Sequence, residues 1–230
     1  MLHKLMHLLL CATAVSNLAV NALPAGGGGS TSDAPPALPM VEHPASKAYW
    51  GALKVPDTSP PRNWLPPKGK NEDWIFTYTE KAARRGYRDL RKKHHDGKDW
   101  RGLVVTLYVP DLGVYAATKA SGSYIDEHKK DAPVWAKAAG GGGKHVDAAD
   151  AVLWLVEKSN PGYLKDHHKG KKKDFAYPEG TYMAAYGTLS GDKPDYTDPC
   201  LVPGSLRESN RVCVGLLKDL GIDRSLDSDC

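Results

Sequence analysis

The chain has 230 residues, of which 41% are hydrophobic and 25% are charged, with a formal net charge of +4 at pH 7. After the amino-terminal segment, no stretch approaches the roughly 20 apolar residues that a membrane-spanning helix needs, so we expect no membrane span. The mild net charge does not identify a partner, but the positive charge is concentrated in two stretches, 81–98 and 165–173.

The amino-terminal 22 residues have the pattern of a secretory signal peptide. Lys4 precedes the apolar run LMHLLLCATAV, and small residues follow up to Ala22, where a signal peptidase can cleave. Residues 23–70 are rich in Gly, Pro, Ala and Ser, which predicts a mostly disordered linker, with Trp50 and Trp64 as candidates for docking onto the domain. The remaining residues, 71–230, are predicted to form one domain, and we expect the protein to be secreted and extracellular.

The domain is predicted to begin with a helix and a hairpin. Trp74–Tyr78 form a short apolar run, after which Thr79 and Glu80 can open a helix that continues as KAARRGYRDLRKKHH. The runs LVVTLYVP (103–110) and VYAAT (114–118) are rich in β-branched and aromatic residues. The Asp-Leu-Gly between them predicts a turn joining two strands.

The second half of the domain is predicted to alternate helices with a strand. Pro133 suits the first turn of a short helix, and Asp147 is predicted to cap a buried helix over 148–158. TYMAAYGTL (181–189) is predicted as a covered strand, and LRESNRVCVGLLKDL (206–220) as a final helix. Strands alternating with helices predict an α/β fold with helices packed on a central sheet. Five aromatic residues are interpreted as core: Tyr108, Tyr115, Trp135, Trp154 and Tyr186.

A run of four glycines, 140–143, precedes Lys144 and His145. A phosphate-binding loop needs the pattern G-x-x-x-x-G-K-[ST], in which the glycines form the turn and the hydroxyl binds magnesium. Ala138 occupies the position of the first glycine and His145 that of the hydroxyl. The sequence therefore argues against a phosphate loop, and a flexible loop explains the glycines equally well.

Three cysteines remain once the predicted signal is removed: Cys200, Cys213 and Cys230. In an oxidising compartment a disulfide is the usual fate of such residues, and an odd number leaves one thiol free, metal-bound or paired with another chain. All three are therefore disulfide candidates, and three single pairings remain open.

The order of elements resembles that of the cytidine-deaminase-like superfamily, in particular its secreted fungal and toxin-type branches. The matching segments are LVVTLYVPDLGVYAAT, YPEGTYMAAYGT, the pair Pro199-Cys200 and the ending CVGLLKDLGI. The resemblance implies a three-layer α-β-α fold with a central mixed sheet. Where the family has His-Ala-Glu-Asp-Ala, this chain has Asp147–Ala151, so Ala149 stands at the position of the catalytic glutamate. This departure implies a decayed active site.

We therefore interpret the chain as a secreted, catalytically inactive deaminase-like domain that acts by binding, as an effector or host-interaction protein, without a cofactor. The alternative is an active zinc-dependent deaminase of nucleosides or nucleic acids. In that enzyme His145, Cys200 and Cys213 bind zinc and Asp147 moves the proton. Twelve residues separate the two cysteines, where the family has two, so we favour a disulfide between them.

The basic stretches are candidate contacts for an anionic partner, either nucleic acid or polysaccharide, although two solvated surfaces explain them as well. A basic nucleic-acid-binding or nuclease domain is a third interpretation, with His94, His95, His167 and His168 as candidates for the nuclease chemistry. The predicted surface comprises Arg84, Arg85, Arg88, Arg91, Lys92, Lys93, Lys171, Lys172 and Lys173.

Overall fold

The computed structural model describes residues 38–53, 74–94, 102–110, 112–138, 147–166, 177–188, 194–201 and 211–224. These residues belong to one compact unit, Asp33–Cys230. Within the described ranges, no helix is long and apolar enough to cross a membrane. The elements are, in chain order, β1 Val41–Glu42, β2 Tyr49–Leu53, α1 Trp74–Lys93, β3 Leu103–Val109, β4 Gly113–Ala117, α2 Gly122–Glu127, α3 Pro133–Ala138, α4 Ala148–Ser159, α5 Tyr163–Asp166, β5 Tyr182–Gly187, β6 Asp195–Thr197, α6 Arg211–Asp219 and β7 Asp223–Arg224.

The strands form one mostly antiparallel sheet in the order β1-β2-β4-β3-β5-β6. The central strand β3 pairs with β4 on one side and with β5 on the other, so that Leu107 lies opposite both Tyr115 and Met183. On its other side, β5 pairs antiparallel with β6 and, nearer its own start, parallel with β7. The sheet is therefore mixed, and the α/β class predicted from the sequence is confirmed.

Helices α1 and α4 pack on opposite faces of this sheet. Successive side chains of a strand point to opposite sides, so neighbouring residues of β3 contact different helices. Val104 packs in a cluster with residues of α1, whereas Val105 and Leu107 belong to the larger core that contains α4. Gly86 lets α1 lie close to β3, since a Cβ at this position would be 3.3 Å from Val104 Cγ1. The result is a layer of helix, a layer of sheet and a second layer of helix.

Several elements predicted from the sequence are confirmed. The two runs 103–110 and 114–118 form the antiparallel pair β3 and β4, and the run 181–189 contains β5. Helix α1 begins at Trp74, before the predicted start at Thr79, so the apolar run is its first turn and not a separate element. Of the aromatic residues interpreted as core, four are buried and Tyr108 is partly exposed.

The prediction of a linker over 23–70 is wrong for residues 38–53. Strand β2 pairs antiparallel with β4, from Trp50 opposite Ala117 to Leu53 opposite Val114. Leu38 and Met40 are buried in the cluster between α1 and the sheet. A few large apolar side chains are sufficient to fix this segment, although its composition is typical of a linker. Trp64, the rest of the predicted linker and the predicted signal peptide lie outside the described residues.

Candidate functional site

The amino end of α4 is where the deaminase resemblance places the catalytic residues. Asp147 is the N-cap: its Oδ1 accepts a hydrogen bond from the Asp150 backbone N–H at 3.0 Å. The Asp147 N–H in turn donates to Asp150 Oδ2 at 3.5 Å, which completes a capping box. Trp135 on α3 donates from its indole Nε1–H to Asp150 Oδ1 at 2.9 Å. Both carboxyl groups therefore hold the start of α4, and that of Asp150 also connects it to α3.

Proximity and burial change the acidity of these two carboxyl groups. Burial, followed by the nearby charge of Asp150, raises the pKa of Asp147 to about 7. Burial also raises the pKa of Asp150, and the hydrogen bond from Trp135 partly offsets that effect. Two buried carboxylates side by side disfavour full ionisation. A carboxyl group that titrates near neutral pH is suited to proton transfer, but the hydrogen bonds of Asp147 are made within its own helix start.

Cys200 and Cys213 form a disulfide, with Cα atoms 5.5 Å apart, which is the pairing favoured from the sequence. Zinc binds the thiolate form of cysteine, and two sulfurs bonded to each other are not thiolates. The predicted zinc site of His145, Cys200 and Cys213 is therefore not assembled here. His145 and Cys230 lie outside the described residues, among which no group of three or more His, Cys, Asp or Glu side chains is placed to hold a metal ion.

The disulfide belongs to a buried connection between β6, α6 and β7. The Cys200 N–H donates to Asp198 Oδ1 at 2.8 Å, and the other carboxylate oxygen of Asp198 accepts from Arg224 on β7. Disulfides persist in oxidising compartments, so the bridge is compatible with the predicted export.

The predicted basic surface on α1 is only partly available for a partner. Arg85 pairs with Asp89 at 3.0 Å, and Lys93 donates from Nζ to the Met40 carbonyl at 2.8 Å. Both cations are therefore already engaged in contacts within the protein. The Lys93 contact joins the end of α1 to the segment before β1. Lys171, Lys172 and Lys173, together with His95, His167 and His168, lie outside the described residues. Besides Lys93, four described members of the predicted surface are exposed: Arg84, Arg88, Arg91 and Lys92.

A further cluster, which the sequence analysis did not identify as a site, lies where β2, α2 and α4 meet. We call it the Lys158 cluster; it consists of His43, Trp50, Tyr124, His128, Trp154 and Lys158. His43 stacks on Trp50 with ring centroids 4.3 Å apart, and Tyr124 stacks on His128 at 4.2 Å. Trp154 contacts both halves, at 5.2 Å from Trp50 and 5.9 Å from Tyr124. The cluster joins four separate parts of the chain.

The Lys158 ammonium lies among the rings of this cluster. Its Nζ is 4.5 Å from the centroid of Trp154 and 6.0 Å from the centroids of Trp50 and Tyr124. The sequence contains two faint signals for this arrangement. Trp154 and Lys158 stand four residues apart on α4, as do Tyr124 and His128 along α2 and its carboxyl end, and such pairs share one face of a helix. Nothing in the sequence indicated that the two pairs would meet.

Comparison with known proteins finds no family model, no curated protein and no solved structure that matches the chain.

Proposed function

We propose that the chain is an exported, catalytically inactive domain with a deaminase-like fold, and that it binds an anionic partner as an effector or host-interaction protein. The observation that carries the proposal is the outer face of α1. At 3.6 residues per turn, Arg84, Arg88, Arg91 and Lys92 fall within an arc of about 100° on the side of α1 that faces away from the sheet.

The charge on this face is largely uncompensated. Within the part of the chain that the structure describes, Arg84, Arg88 and Lys92 make no ion pair with a carboxylate. The Arg84 guanidinium lies 6.0 Å from the ring of Tyr186 and acts to lower the pKa of Tyr196, although burial raises that pKa more strongly. Clustered cations that are not neutralised by nearby acids produce a local potential that attracts polyanions. Aromatic rings beside arginines are also common where single-stranded nucleic acid is bound.

Two features of the deaminase-like site support binding without turnover. Ala149 stands where the family has its catalytic glutamate, and its buried methyl group cannot transfer a proton. Cys200 and Cys213 are bonded to each other, so neither is available as a thiolate ligand. Two features support the deaminase-like fold itself: the layers of helix, mixed sheet and helix, and the place of α4 in the chain order, after β4 and before β5.

Charge reversal on α1 tests the proposed partner class. Binding of the wild type to a single-stranded RNA oligonucleotide and to a sulfated polysaccharide is measured by fluorescence anisotropy over a range of salt concentrations. The affinity is expected to fall with salt, and Arg84→Glu/Arg88→Glu is expected to weaken binding and reduce the magnitude of the logarithmic salt slope by about 1.4 for single-stranded RNA, at roughly 0.7 per lost phosphate contact.

The matched control is Lys130→Glu/Lys218→Glu, which reverses two exposed lysines on other elements. The control is expected to bind almost as tightly as the wild type. Binding that does not respond to salt, or that weakens equally in both double variants, would contradict a contact through α1.

The inactive-site part of the proposal has a separate test. The purified protein is analysed for zinc, and its disulfides are mapped by mass spectrometry without reduction. We expect a peptide that links Cys200 to Cys213 and less than stoichiometric zinc. One zinc ion per chain with both cysteines reduced would instead identify the chain as the zinc-dependent deaminase.

A further inference from the structure

The Lys158 cluster lies on the α4 side of the sheet, opposite α1, and plays no part in the function proposed above. Its members come from the turn after β1, from β2, from the region of α2 and from α4. His43, Trp50, Tyr124 and Lys158 are each partly exposed, whereas Trp154 is fully buried. Solvent therefore reaches one side of the cluster, and Trp154 forms its buried side.

Lys158 provides a half-buried positive charge without a negative partner. Among the described residues, its ammonium forms no ion pair and donates no hydrogen bond to an oxygen. Ring faces at 4.5 to 6.0 Å stabilise the cation but do not accept its three N–H groups in ordinary hydrogen bonds. The nearby Lys129 is paired with Asp126, so that acid is already engaged. Asp131 acts on Tyr124, whose pKa it helps to raise, without pairing with Lys158.

Trp50 adds a second donor that lacks an acceptor. Its indole Nε1–H is buried and has no hydrogen-bond partner among the residues that the structure describes. Buried polar groups are nearly always hydrogen-bonded, because a buried donor without an acceptor has lost its hydrogen bond to water without replacing it. An acceptor supplied from outside the chain would remove this cost.

His43 adds a neutral hydrogen-bond donor to the same environment. Its Nδ1 accepts a hydrogen bond from the Ser46 N–H at 3.2 Å, so the neutral ring carries its proton on Nε2 and presents another donor. Burial, followed by the charges of Lys158 and His128, lowers the pKa of His43. The cluster thus combines positive charge, donors and aromatic faces, and no carboxylate of the described residues pairs with Lys158.

We infer that the Lys158 cluster is a binding site for a planar aromatic ring that carries an oxyanion, either a phosphate or a carboxylate. The oxyanion accepts hydrogen bonds from Lys158 and, after a small movement of the rings, from Trp50. The planar ring stacks against the partly exposed rings of Trp50 and Tyr124, the type of contact by which aromatic side chains bind bases in nucleic-acid complexes. A cationic ligand does not fit, because Lys158 already occupies the position between the rings.

The test uses the full chain with its disulfide intact and four small probes. Adenosine 5′-monophosphate and indole-3-acetate each combine a ring with an oxyanion, as a phosphate and as a carboxylate. Adenosine and inorganic phosphate each supply one of these two parts. By isothermal titration calorimetry, at least one combined probe is expected to bind about tenfold more tightly than either separate part, and the ranking of the two combined probes identifies which oxyanion is preferred.

Substitution of the lysine tests the proposed contact. Lys158→Met retains the length and most of the apolar contact of the side chain but removes its charge, and is expected to weaken binding about tenfold, the loss typical of one charge-assisted hydrogen bond. Lys130→Met, at an exposed lysine after α2, is the matched control and is expected to bind as the wild type does. Tyr124→Leu tests the stacking contact independently of charge.

Nuclear magnetic resonance tests directly whether the probe binds at this cluster. The indole N–H signal of Trp50, assigned by its loss in Trp50→Phe, is expected to shift when the combined probe is added, because that donor gains an acceptor. The inference is overturned if no combined probe binds more tightly than its parts, if Lys158→Met binds as tightly as the wild type, or if the Trp50 signal does not move. Arg84→Glu/Arg88→Glu is expected to leave this binding unchanged, so the outcome is independent of the contact proposed for α1.

Discussion

The carboxylate of Asp147, the residue that the proposed deaminase resemblance aligns with a zinc-binding histidine, caps α4. The cap was predictable from the sequence, because an Asp immediately before an apolar helical run is a local signal. Its raised pKa was not, because it depends on Asp150 and on the burial that follows when Trp135 brings α3 against the helix start. The capping role of a residue can thus be predicted from the local sequence, whereas its charge state depends on the residues that pack against it.

The charge of Asp147 is expected to make the protein less stable at higher pH. Its pKa is about 7 in the folded protein against an ordinary value of 3.8, so between these values the folded state binds more protons than the unfolded state. This part of the free energy of unfolding therefore falls as pH rises from about 4 to 7. Asn caps helices as well as Asp but carries no charge, so Asp147→Asn is expected to raise the melting temperature at pH 8 by about 2–4 °C for each kcal/mol gained, and to leave it nearly unchanged at pH 4.

Thermal unfolding followed by circular dichroism at both pH values checks this expectation. Asp147→Ala is the control, since it removes the cap as well as the charge and should cost about 1 kcal/mol at pH 4. A change in melting temperature of the same size at pH 4 and pH 8 for Asp147→Asn would show that ionisation is not the cause.

At the scale of secondary structure, α3 depends on a side chain from another helix. Glu157 on α4 is buried, and its two carboxylate oxygens accept hydrogen bonds from the backbone N–H groups of Val134 and Trp135, at 2.8 Å and 2.9 Å. These N–H groups belong to the first turn of α3, where no intrahelical acceptor exists. A helix of six residues is too short to be stable alone, so α4 provides the cap that α3 lacks.

Removal of the Glu157 carboxylate is expected to destabilise the protein. Glu157→Gln replaces one acceptor with an NH₂ group that faces a backbone N–H, and Glu157→Ala leaves both N–H groups without their acceptor. We expect losses of about 1–3 kcal/mol for each group left unsatisfied, larger for Ala than for Gln, in urea unfolding. Glu127→Gln, at an exposed position on α2, is the control and is expected to change stability little; a similar loss in this control would argue against a specific cap.

The elements that the sequence predicted correctly have strong local patterns. Strands β3, β4 and β5 are continuous apolar runs, and α4 has both an N-cap and an apolar stripe. Strands β1, β6 and β7 have two or three residues each and exist only through pairing with a neighbour. Such short strands leave no periodic pattern. Strand β2 is held by pairing with β4, which is distant in sequence, so composition alone assigned β1 and β2 to a linker.

At the scale of the whole molecule, the Cys200–Cys213 bridge fixes the segment after β6 to α6. The sequence allowed three pairings and favoured this one without fixing it, because the approach of two cysteines depends on how the sheet and α6 pack. The Lys158 cluster was equally hidden, since its residues extend from His43 to Lys158 and meet only in the assembled fold. The sequence therefore provided the fold class and the local caps, while the sites that depend on long-range contacts came from the structure.

Loss of the bridge is expected to destabilise the domain. The two cysteines are 13 residues apart, and closing a loop of about that length contributes roughly 3 kcal/mol in the chain-entropy account. Cys200→Ser/Cys213→Ser is therefore expected to reduce the free energy of unfolding by about 3 kcal/mol in urea. A reducing agent should produce a similar loss in the wild type and no further loss in the double variant; an additional loss there would indicate that another disulfide stabilises the protein.

The pairing of β2 with β4 also determines the smallest piece of the chain that can fold independently. A polypeptide beginning at residue 71, where composition placed the domain boundary, would lack β2 and leave a row of unpaired N–H and C=O groups along β4. It would also uncover part of Trp154, against which Trp50 packs. An apolar strand with an open edge readily pairs with other chains. We therefore expect an independently folding unit to begin no later than Leu38, because the residues with the composition of a spacer supply a strand of the sheet and part of its core.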